Sequence, residues 1–183
     1  MYFEPKEIRL KDGRTALFRS PLVSDAAELI EYLKITAEET DFLLRTPEEC
    51  NLTLEQEENY IRHALTSNES LVICCFVDGI HAGNCDLRPH TKNKNRHRAN
   101  IGIALKKEFW GLGIGTAMFE EMIAIANAWG LMQLELEVFE GNERAMGLYR
   151  KMGFEIVSYV PNAIRMSDGT FRKEFLMIKS LKN

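Results

Sequence analysis

The sequence predicts a mixed α/β (α+β) fold, because runs of strand length and segments of helical period both occur along the chain. The strand-like runs are apolar or alternate apolar with polar residues, and Asp-Gly pairs beginning at Asp12, Asp78 and Asp168 mark turns between neighbouring runs. The 183 residues contain no repeat, low-complexity tract or linker-like stretch. We therefore predict one domain that spans residues 1–183.

The first part of the chain predicts a β-hairpin followed by two amphipathic helices. Alternating runs from Glu7 to Arg19 flank the turn at Asp12-Gly13. Ser24 is the predicted cap of the first helix, and Thr53 with Gln56 forms a capping box at the start of the second. Apolar residues recur at helical spacing in both segments: Ala26, Leu29, Ile30 and Leu33 in the first, and Tyr60, Ile61 and Leu65 in the second.

The middle of the chain predicts three strands and a loop. Leu71–Val77 is apolar and β-branched, and the turn at Asp78-Gly79 leads from it into a second strand, Ile80–Leu87. A loop from Arg88 to Arg98 precedes the third strand, Asn100–Leu105. The basic residues of this loop have no aromatic side chains between them, so we interpret it as a solvated loop and not as an RNA-binding surface.

The last part predicts a long helix, a shorter helix and three strands. The long helix begins at the glycine segment Gly111–Gly115, and the shorter one is capped by Asn142 and ends at Gly153. Residues at helical spacing predict a core-facing stripe on the long helix: Ile114, Met118, Met122, Ile125 and Trp129. The predicted strands are Leu134–Phe139, Phe154–Val160 and Phe171–Lys179.

Charge and hydropathy exclude several classes of protein. The 23 Lys and Arg against 27 Asp and Glu give a net charge of −4, which argues against a dedicated nucleic-acid binder and favours a small-molecule or protein partner. The first ten residues offer no apolar core for a signal peptide, and no later run has the length of a membrane span. We therefore expect a cytoplasmic protein with neither nucleic-acid nor membrane partners.

Cysteine and histidine spacing predicts no metal site. The four cysteines form no Cys-x-x-Cys pair, and we expect them to be reduced and mostly buried: Cys50, Cys74, Cys75 and Cys85. His81, Cys85 and His90 match none of the zinc-ligand spacings, and a strand would place them on different faces. We therefore predict that the chain holds no metal.

The glycine segment between a strand and a helix has the character of an anion site. Glycines let the backbone approach a phosphate closely, and the helix start supplies N–H groups and the positive end of the helix dipole. A dinucleotide fingerprint fails here, because its last glycine would fall on Thr116 or Met118. A P-loop also fails, since no Gly-Lys-Ser/Thr follows.

Two segments resemble the motifs of the GNAT N-acetyltransferase family. Trp110-Gly111-Leu112-Gly113-Ile114-Gly115 is similar to the family's acyl-CoA signature, Gln/Arg-x-x-Gly-x-Gly/Ala, with Trp110 as the one departure. The segment from Asn142 to Phe154 is similar to the family's Asn-x-x-Ala-x-x-Leu-Tyr-x-Lys-x-Gly-Phe. The sequence of the first segment resembles those of the ribosomal-protein and small-amine acetyltransferase branches. The resemblance implies a GNAT-like twisted mixed sheet of about six to seven strands flanked by about four helices.

The resemblance also implies acetyl-CoA as cosubstrate and assigns residues to it. A splayed strand would offer backbone groups to the pantetheine arm and the acetyl oxygen from Ile103, Ala104 and Leu105. The pyrophosphate would lie on backbone amides of the glycine segment and the residues around it: Gly111, Leu112, Gly113, Ile114, Gly115 and Thr116. Asn142 would contact pantetheine while it caps its helix.

The reaction implied by the resemblance is direct attack of an amine on the thioester. Tyr149 is the candidate donor of a proton to the departing thiolate, and Glu137 is the candidate base, provided that partial burial raises its pKa. Asp86 and Glu108 are alternative bases. The acceptor would be a protein N-terminus, an amino acid or a small amine, and the family makes a homodimer an expectation.

Two other classes of function stay open at the level of sequence. The fold could serve as a non-catalytic acyl-CoA-binding sensor or assembly module, or the glycine segment could belong to a nucleotide-binding module. If the chain is an enzyme, we expect its substrate specificity to depend on the first two helices, Ser24–Ser67, and on Pro161–Gly169.

Overall fold

Helices and strands are interspersed along the chain in the computed structural model, which describes residues 1–181. The strands are β1 Lys6–Arg9, β2 Thr15–Arg19, β3 Leu71–Val77, β4 Ile80–Pro89, β5 Arg98–Leu105, β6 Gln133–Phe139, β7 Glu155–Arg165 and β8 Phe171–Ser180. The α-helices are α1 Ala26–Glu39, α2 Leu54–Thr66, α3 Ile114–Ala128 and α4 Glu143–Lys151. Each predicted element is present, although several have different ends.

The strands follow the order β1-β2-β3-β4-β5-β6-β8-β7 and form an eight-stranded sheet. Pairing is antiparallel from β1 to β4 and among β6, β8 and β7, whereas β5 and β6 are parallel. The predicted mixed α/β class is confirmed. The strand number is higher than the predicted six to seven because the opening hairpin joins the sheet, β2 pairing directly with β3.

The described chain divides into two compact units. The first comprises Met1–Arg88 and Gly102–Met118, and the second comprises Pro89–Ile101 and the chain from Phe119 onward. The single domain over residues 1–183 stays a prediction, and its last two residues lie outside the described part.

In the first unit, α1 and α2 pack on β3 through apolar side chains. The core shared by these three elements contains Ala26, Leu29, Ile61, Ala64, Val72, Cys74 and Phe76. Removal of this apolar surface from water is the main favourable contribution to holding the two helices on the sheet. A further buried residue of α1, Tyr32, faces His81 of β4 with the ring centroids 4.7 Å apart.

The two predicted helix caps of the first unit have different outcomes. Thr53 is confirmed, because its hydroxyl accepts a hydrogen bond from Gln56 N at 3.2 Å while Gln56 Oε1 accepts one from Thr53 N at 2.8 Å. Ser24 as the first cap is wrong, since the N-cap is Asp25. The Asp25 carboxylate binds Arg19 at 2.7 Å and accepts from Leu22 N at 2.7 Å, which fixes the chain just before α1.

In the second unit, α4 packs through an aromatic cluster. The ring centroids of Tyr149 and Phe154 lie 5.4 and 5.8 Å from that of Phe119. The predicted core stripe of α3 is confirmed at Met118 and Met122 but is wrong at Trp129, which is 40% exposed. Trp129 follows Ala128, the last residue of the helix, so helical spacing no longer sets the direction of its side chain.

Strand β7 is longer than predicted. It continues past Val160 to Arg165 because a register shift between Val160 and Ile164 accommodates Pro161 and the positive φ of Asn162 while the ladder with β8 resumes. The first half of the predicted specificity segment, Pro161–Gly169, is therefore strand.

Replacement of Gly83 by alanine will destabilise the protein. A Cβ at this position of β4 would lie 2.7 Å from Leu105 Cα, which is backbone and cannot rotate away. We expect Gly83→Ala to lower the free energy of unfolding by about 2 kcal/mol. Urea unfolding followed by circular dichroism measures the change.

The matched control is Gly147→Ala. Gly147 lies in α4, and a Cβ there would meet no atom within 4 Å. Since alanine favours a helix interior over glycine, this variant should be more stable than the wild type by about 0.5 to 1 kcal/mol. Equal stability of the Gly83→Ala variant and the wild type would contradict the close approach of β4 and β5.

Candidate acetyl-CoA site and acceptor cavity

The glycine segment forms a turn that leads directly into α3. Gly111 and Gly113 have φ values of +81° and +93°, a region that favours glycine. The first hydrogen bond of the helix runs from Ala117 N to Gly113 O at 3.1 Å. The N–H groups of Ile114 and Gly115 consequently have no carbonyl partner within the helix, and they lie at its positive end.

The opening hairpin holds this turn in place. Lys11 N donates a hydrogen bond to Leu112 O at 3.1 Å. The aliphatic stem of Lys11 lies 3.5 to 3.8 Å from the position that a Cβ on Gly113 would take. The turn is thus fixed from outside while its glycines keep it free of side chains.

Trp110, the departure from the family signature, ties the turn to β5. Its indole Nε1 donates a hydrogen bond to Leu105 O at 2.8 Å. The signature expects Gln or Arg at this position, whereas here an aromatic donor secures the end of the preceding strand.

The end of β5 lies beyond its pairing with β6 and receives side-chain hydrogen bonds. The parallel pairing with β6 joins Arg98–Asn100 to Gln133–Glu135, and Ile103–Leu105 lie beyond it. Tyr32 Oη donates to Ala104 O at 3.0 Å. The role predicted for the backbone of Ile103, Ala104 and Leu105 toward acetyl-CoA stays a prediction.

Asn142 and Tyr149 occupy the two ends of α4 in the second unit. Asn142 Oδ1 accepts from Ala145 N at 3.2 Å, which confirms the predicted cap. Tyr149 is buried among aromatic rings, and this burial raises the pKa of its phenol to about 12. The phenol therefore keeps its proton at neutral pH, as a proton donor must.

The carboxylates of β6 differ sharply in environment. Glu137 is exposed, so the partial burial expected for it is absent, and its role as base stays a prediction. Glu135 is the buried member, paired with Arg98 at 2.5 Å and lying 3.9 Å from His90 Nε2. Arg98, assigned by sequence to a solvated loop, is therefore part of a structural ion pair.

Asp86, an alternative base, lies against β5 in the first unit. Its Oδ1 would be 2.8 Å from a Cβ on Gly102, one residue before Ile103. Burial raises the pKa of the Asp86 carboxyl, although Arg88 Nε lies 2.7 Å away and opposes the shift. The other alternative, Glu108, is exposed.

A cavity of about 280 Å³ opens between α1, α2 and β4 in the first unit. Its lining residues are Leu29, Tyr32, Leu33, Leu52, Gln56, Glu57, Tyr60 and Asn84. It lies against α1 and α2, the two helices on which the sequence predicted substrate specificity to depend. Sequence reasoning missed Glu57, although its spacing of four and seven residues from Ile61 and Ala64 puts it on the buried stripe of α2.

The cysteines take no part in these sites. All four are buried free thiols, which confirms the expected burial. Burial raises the pKa of Cys75 to about 12 and that of Cys74 still further.

In the part of the chain from 1 to 181, no group of three or more His, Cys, Asp or Glu residues could hold a metal ion. No α-helix among the same residues has the length and apolar character needed to cross a membrane.

The sequence model of the Acetyltransferase (GNAT) family matches residues 33–154, which include the glycine turn and α4. The chain belongs to this family. The L-amino acid N-acetyltransferase AaaT of Escherichia coli K12 is 32% identical over 89 residues, which are 48% of this chain and 54% of that protein. The chain spans about half the length of the curated relatives it matches.

Solved structures share the fold over most of the chain. A GNAT-family acetyltransferase from Streptococcus pneumoniae has a TM-score of 0.84 and 30% identity, with 91% of this chain and 99% of that chain covered. A phosphinothricin acetyltransferase from Sinorhizobium meliloti in complex with acetyl-CoA has a TM-score of 0.76 and 20% identity, with 91% and 88% covered. The second likeness shows the fold alone.

The thiols should be unreactive in the folded protein. Because all four are buried and the thiol pKa values of Cys74 and Cys75 are raised, we expect the native chain at about pH 8 to react with Ellman's reagent only on the time scale of unfolding. In concentrated urea all four thiols should react at once. Rapid labelling of native protein would contradict the burial.

Proposed function

We propose that this chain is an N-acetyltransferase that moves the acetyl group of acetyl-CoA onto a primary amine by direct attack. The glycine turn at the start of α3 is the observation that carries the proposal, because a diphosphate needs outward-facing N–H groups and no side chains in its way. Gly111 and Gly113 leave the turn free of side chains at these two positions, and a Cβ at Gly111 would point into open space. Membership of the acetyltransferase family supports the same assignment.

The proposed cosubstrate contacts come from three segments of the chain. Amides from Gly111 to Thr116 bind the pyrophosphate, and the backbone of Ile103–Leu105 holds the pantetheine arm and the acetyl oxygen. Asn142 contacts pantetheine with the part of its side chain not used in capping. The phosphinothricin acetyltransferase that shares the fold was solved with acetyl-CoA, which supports this choice of donor.

The transfer forms a C–N bond and breaks a C–S bond. A neutral amine nitrogen attacks the thioester carbon, and the nitrogen then loses a proton to a carboxylate or water. Tyr149 donates its phenolic proton to the departing thiolate, so the products are an N-acetyl amine and the thiol of CoA. The raised pKa of Tyr149 keeps the phenol protonated at neutral pH, so the proton is present when the thiolate develops.

The base is either Asp86 or Glu137. Asp86 has the better support, because it packs against Gly102 of β5 and burial raises the pKa of its carboxyl. Glu137 remains a candidate base because of the family resemblance, although its side chain is exposed. Glu108 shares that exposure and has less support.

We also infer a cytoplasmic location and a homodimer. Four buried free thiols suit a reducing compartment, in which disulfides do not persist. The homodimer rests on family analogy, and light scattering of the purified chain measures it directly.

Tyr149→Phe tests the enzyme against the non-catalytic acyl-CoA-binding module. Removal of the hydroxyl leaves the ring packing intact, so CoA binding by calorimetry should be unchanged while turnover falls by at least about tenfold. Tyr159→Phe, at an exposed tyrosine of β7, is the control and should keep full turnover. Unchanged turnover in Tyr149→Phe would remove the role of Tyr149, and binding of NAD without CoA would contradict the acetyltransferase.

A second prediction distinguishes the two bases by pH. A base must be deprotonated, so kcat/KM should fall as pH drops through the raised pKa of Asp86, above its ordinary value of 3.8. Asp86→Asn should lower kcat/KM by about 100-fold and abolish that acid limb, whereas Glu137→Gln should keep it. The reverse pattern, in which only Glu137→Gln lowers kcat/KM and abolishes the acid limb, would assign the role of base to Glu137.

A further inference from the structure

Glu57 is a buried carboxylate with no counter-ion. It occupies the core-facing stripe of α2 with Ile61 and Ala64, and it is only 5% exposed. Burial raises the pKa of its carboxyl, and no hydrogen bond or charge among residues 1–181 opposes that shift. The carboxylate lines a cavity beside the exposed Leu52 and Tyr60, and no cationic side chain lines that cavity. An unpaired carboxylate at such a position favours a cationic ligand.

The cavity beside Glu57 is apolar apart from that carboxylate and two amides. Aliphatic side chains and the rings of Tyr32 and Tyr60 make up the rest of the lining, which contains no lysine, arginine or histidine. At about 280 Å³ the space suits a small organic molecule. Aromatic faces next to a carboxylate attract a cation, because the ring quadrupole and the negative charge act in the same direction.

The carboxylates around the cavity also favour a cationic ligand. Burial raises the pKa of the Tyr60 phenol, the negative charges of Asp86 and Glu57 raise it further, and Arg88 opposes them. Two guanidinium groups whose charges act on the cavity tyrosines are already engaged. Arg88 pairs with Asp86 at 2.7 Å, and Arg45 Nη2 donates to Thr36 Oγ1 at 2.7 Å.

Tyr32 connects this cavity to β5. The ring lines the cavity, and the hydroxyl donates to Ala104 O at 3.0 Å. Ala104 belongs to the backbone stretch that the proposed function assigns to the acetyl end of the cosubstrate. A molecule in the cavity therefore lies next to the groups proposed to orient the thioester.

We propose that this cavity is the acceptor site and that Glu57 binds the ammonium group of a small amine with an apolar body and no carboxylate. The bound ammonium group gives one proton to solvent before the transfer, and the neutral amine then attacks the thioester. The inference rests on the proposed function and specifies its substrate class. The apolar body packs on Leu29 and Leu33, and the ammonium group lies between Glu57 and the tyrosine rings. A free amino acid fits less well, because its α-carboxylate would meet Glu57 in a lining that contains no lysine, arginine or histidine.

Matched acceptors test the substrate class. Two pairs differ only by the α-carboxylate: 3-methylbutylamine with L-leucine, and 2-phenylethylamine with L-phenylalanine. With acetyl-CoA as donor and the full chain as enzyme, we expect kcat/KM for the amine to exceed that for its amino acid by at least about tenfold. Preference for the amino acids, the substrate class named for the Escherichia coli relative, would overturn the inference.

Glu57→Gln tests the residue itself. The variant should raise KM for the amine by at least about tenfold and leave KM for acetyl-CoA unchanged, and Glu57→Asp should recover part of the loss. Glu55→Gln, at an exposed position of the same helix, is the control and should change neither constant. Because Glu57→Gln removes an unpaired buried charge, its Tm should equal or exceed that of the wild type.

The outcomes separate this inference from the proposed function. If the wild-type chain binds acetyl-CoA by calorimetry and acetylates amines, but Glu57→Gln has unchanged constants or a lower Tm, then the inference is wrong and the proposed function stands. If the wild type binds no acetyl-CoA, the proposed function itself fails.

Discussion

The absence of a side chain at Gly83 is the constraint on which the first unit depends. It lets β4 approach the backbone of Ala104 and Leu105 more closely than any other residue would allow. The carbonyls of these two residues are then reached by side chains from two directions, Tyr32 of α1 and Trp110 of the glycine turn. The end of β5 thus joins the helices that line the cavity to the turn that begins α3.

The buried carboxylates of this protein differ in whether they are paired. Asp25 and Glu135 each have an arginine partner within hydrogen-bonding distance, so their charges are compensated and they secure local structure. Glu57 has a comparable degree of burial and no such partner in the described chain. The acceptor role that we propose for Glu57 accounts for this contrast, because a bound ammonium group would compensate its charge.

Much of the fold could be predicted from local pattern. Leu71–Val77 has the same bounds as β3, and the caps at Thr53 and Asn142 depend on contacts within three residues of sequence. Predictions failed where side-chain pairing or strand pairing overrides the local signal. Asp25 replaces Ser24 as cap since Arg19 and Leu22 hold its carboxylate, and β7 continues through Pro161 because its ladder with β8 resumes afterwards.

The sequence by itself determined the family and predicted the cosubstrate segments, because those motifs are contiguous and their chemistry is largely that of the backbone. Glycines at 111 and 113 predict an amide turn whatever surrounds them. Only the tertiary structure decided which carboxylates are buried, paired or left open to a cavity. Burial and pairing depend on side chains that are far apart in sequence. Glu57, for example, lines one cavity with Leu29, Tyr32 and Asn84, and no local spacing predicts that these residues lie together.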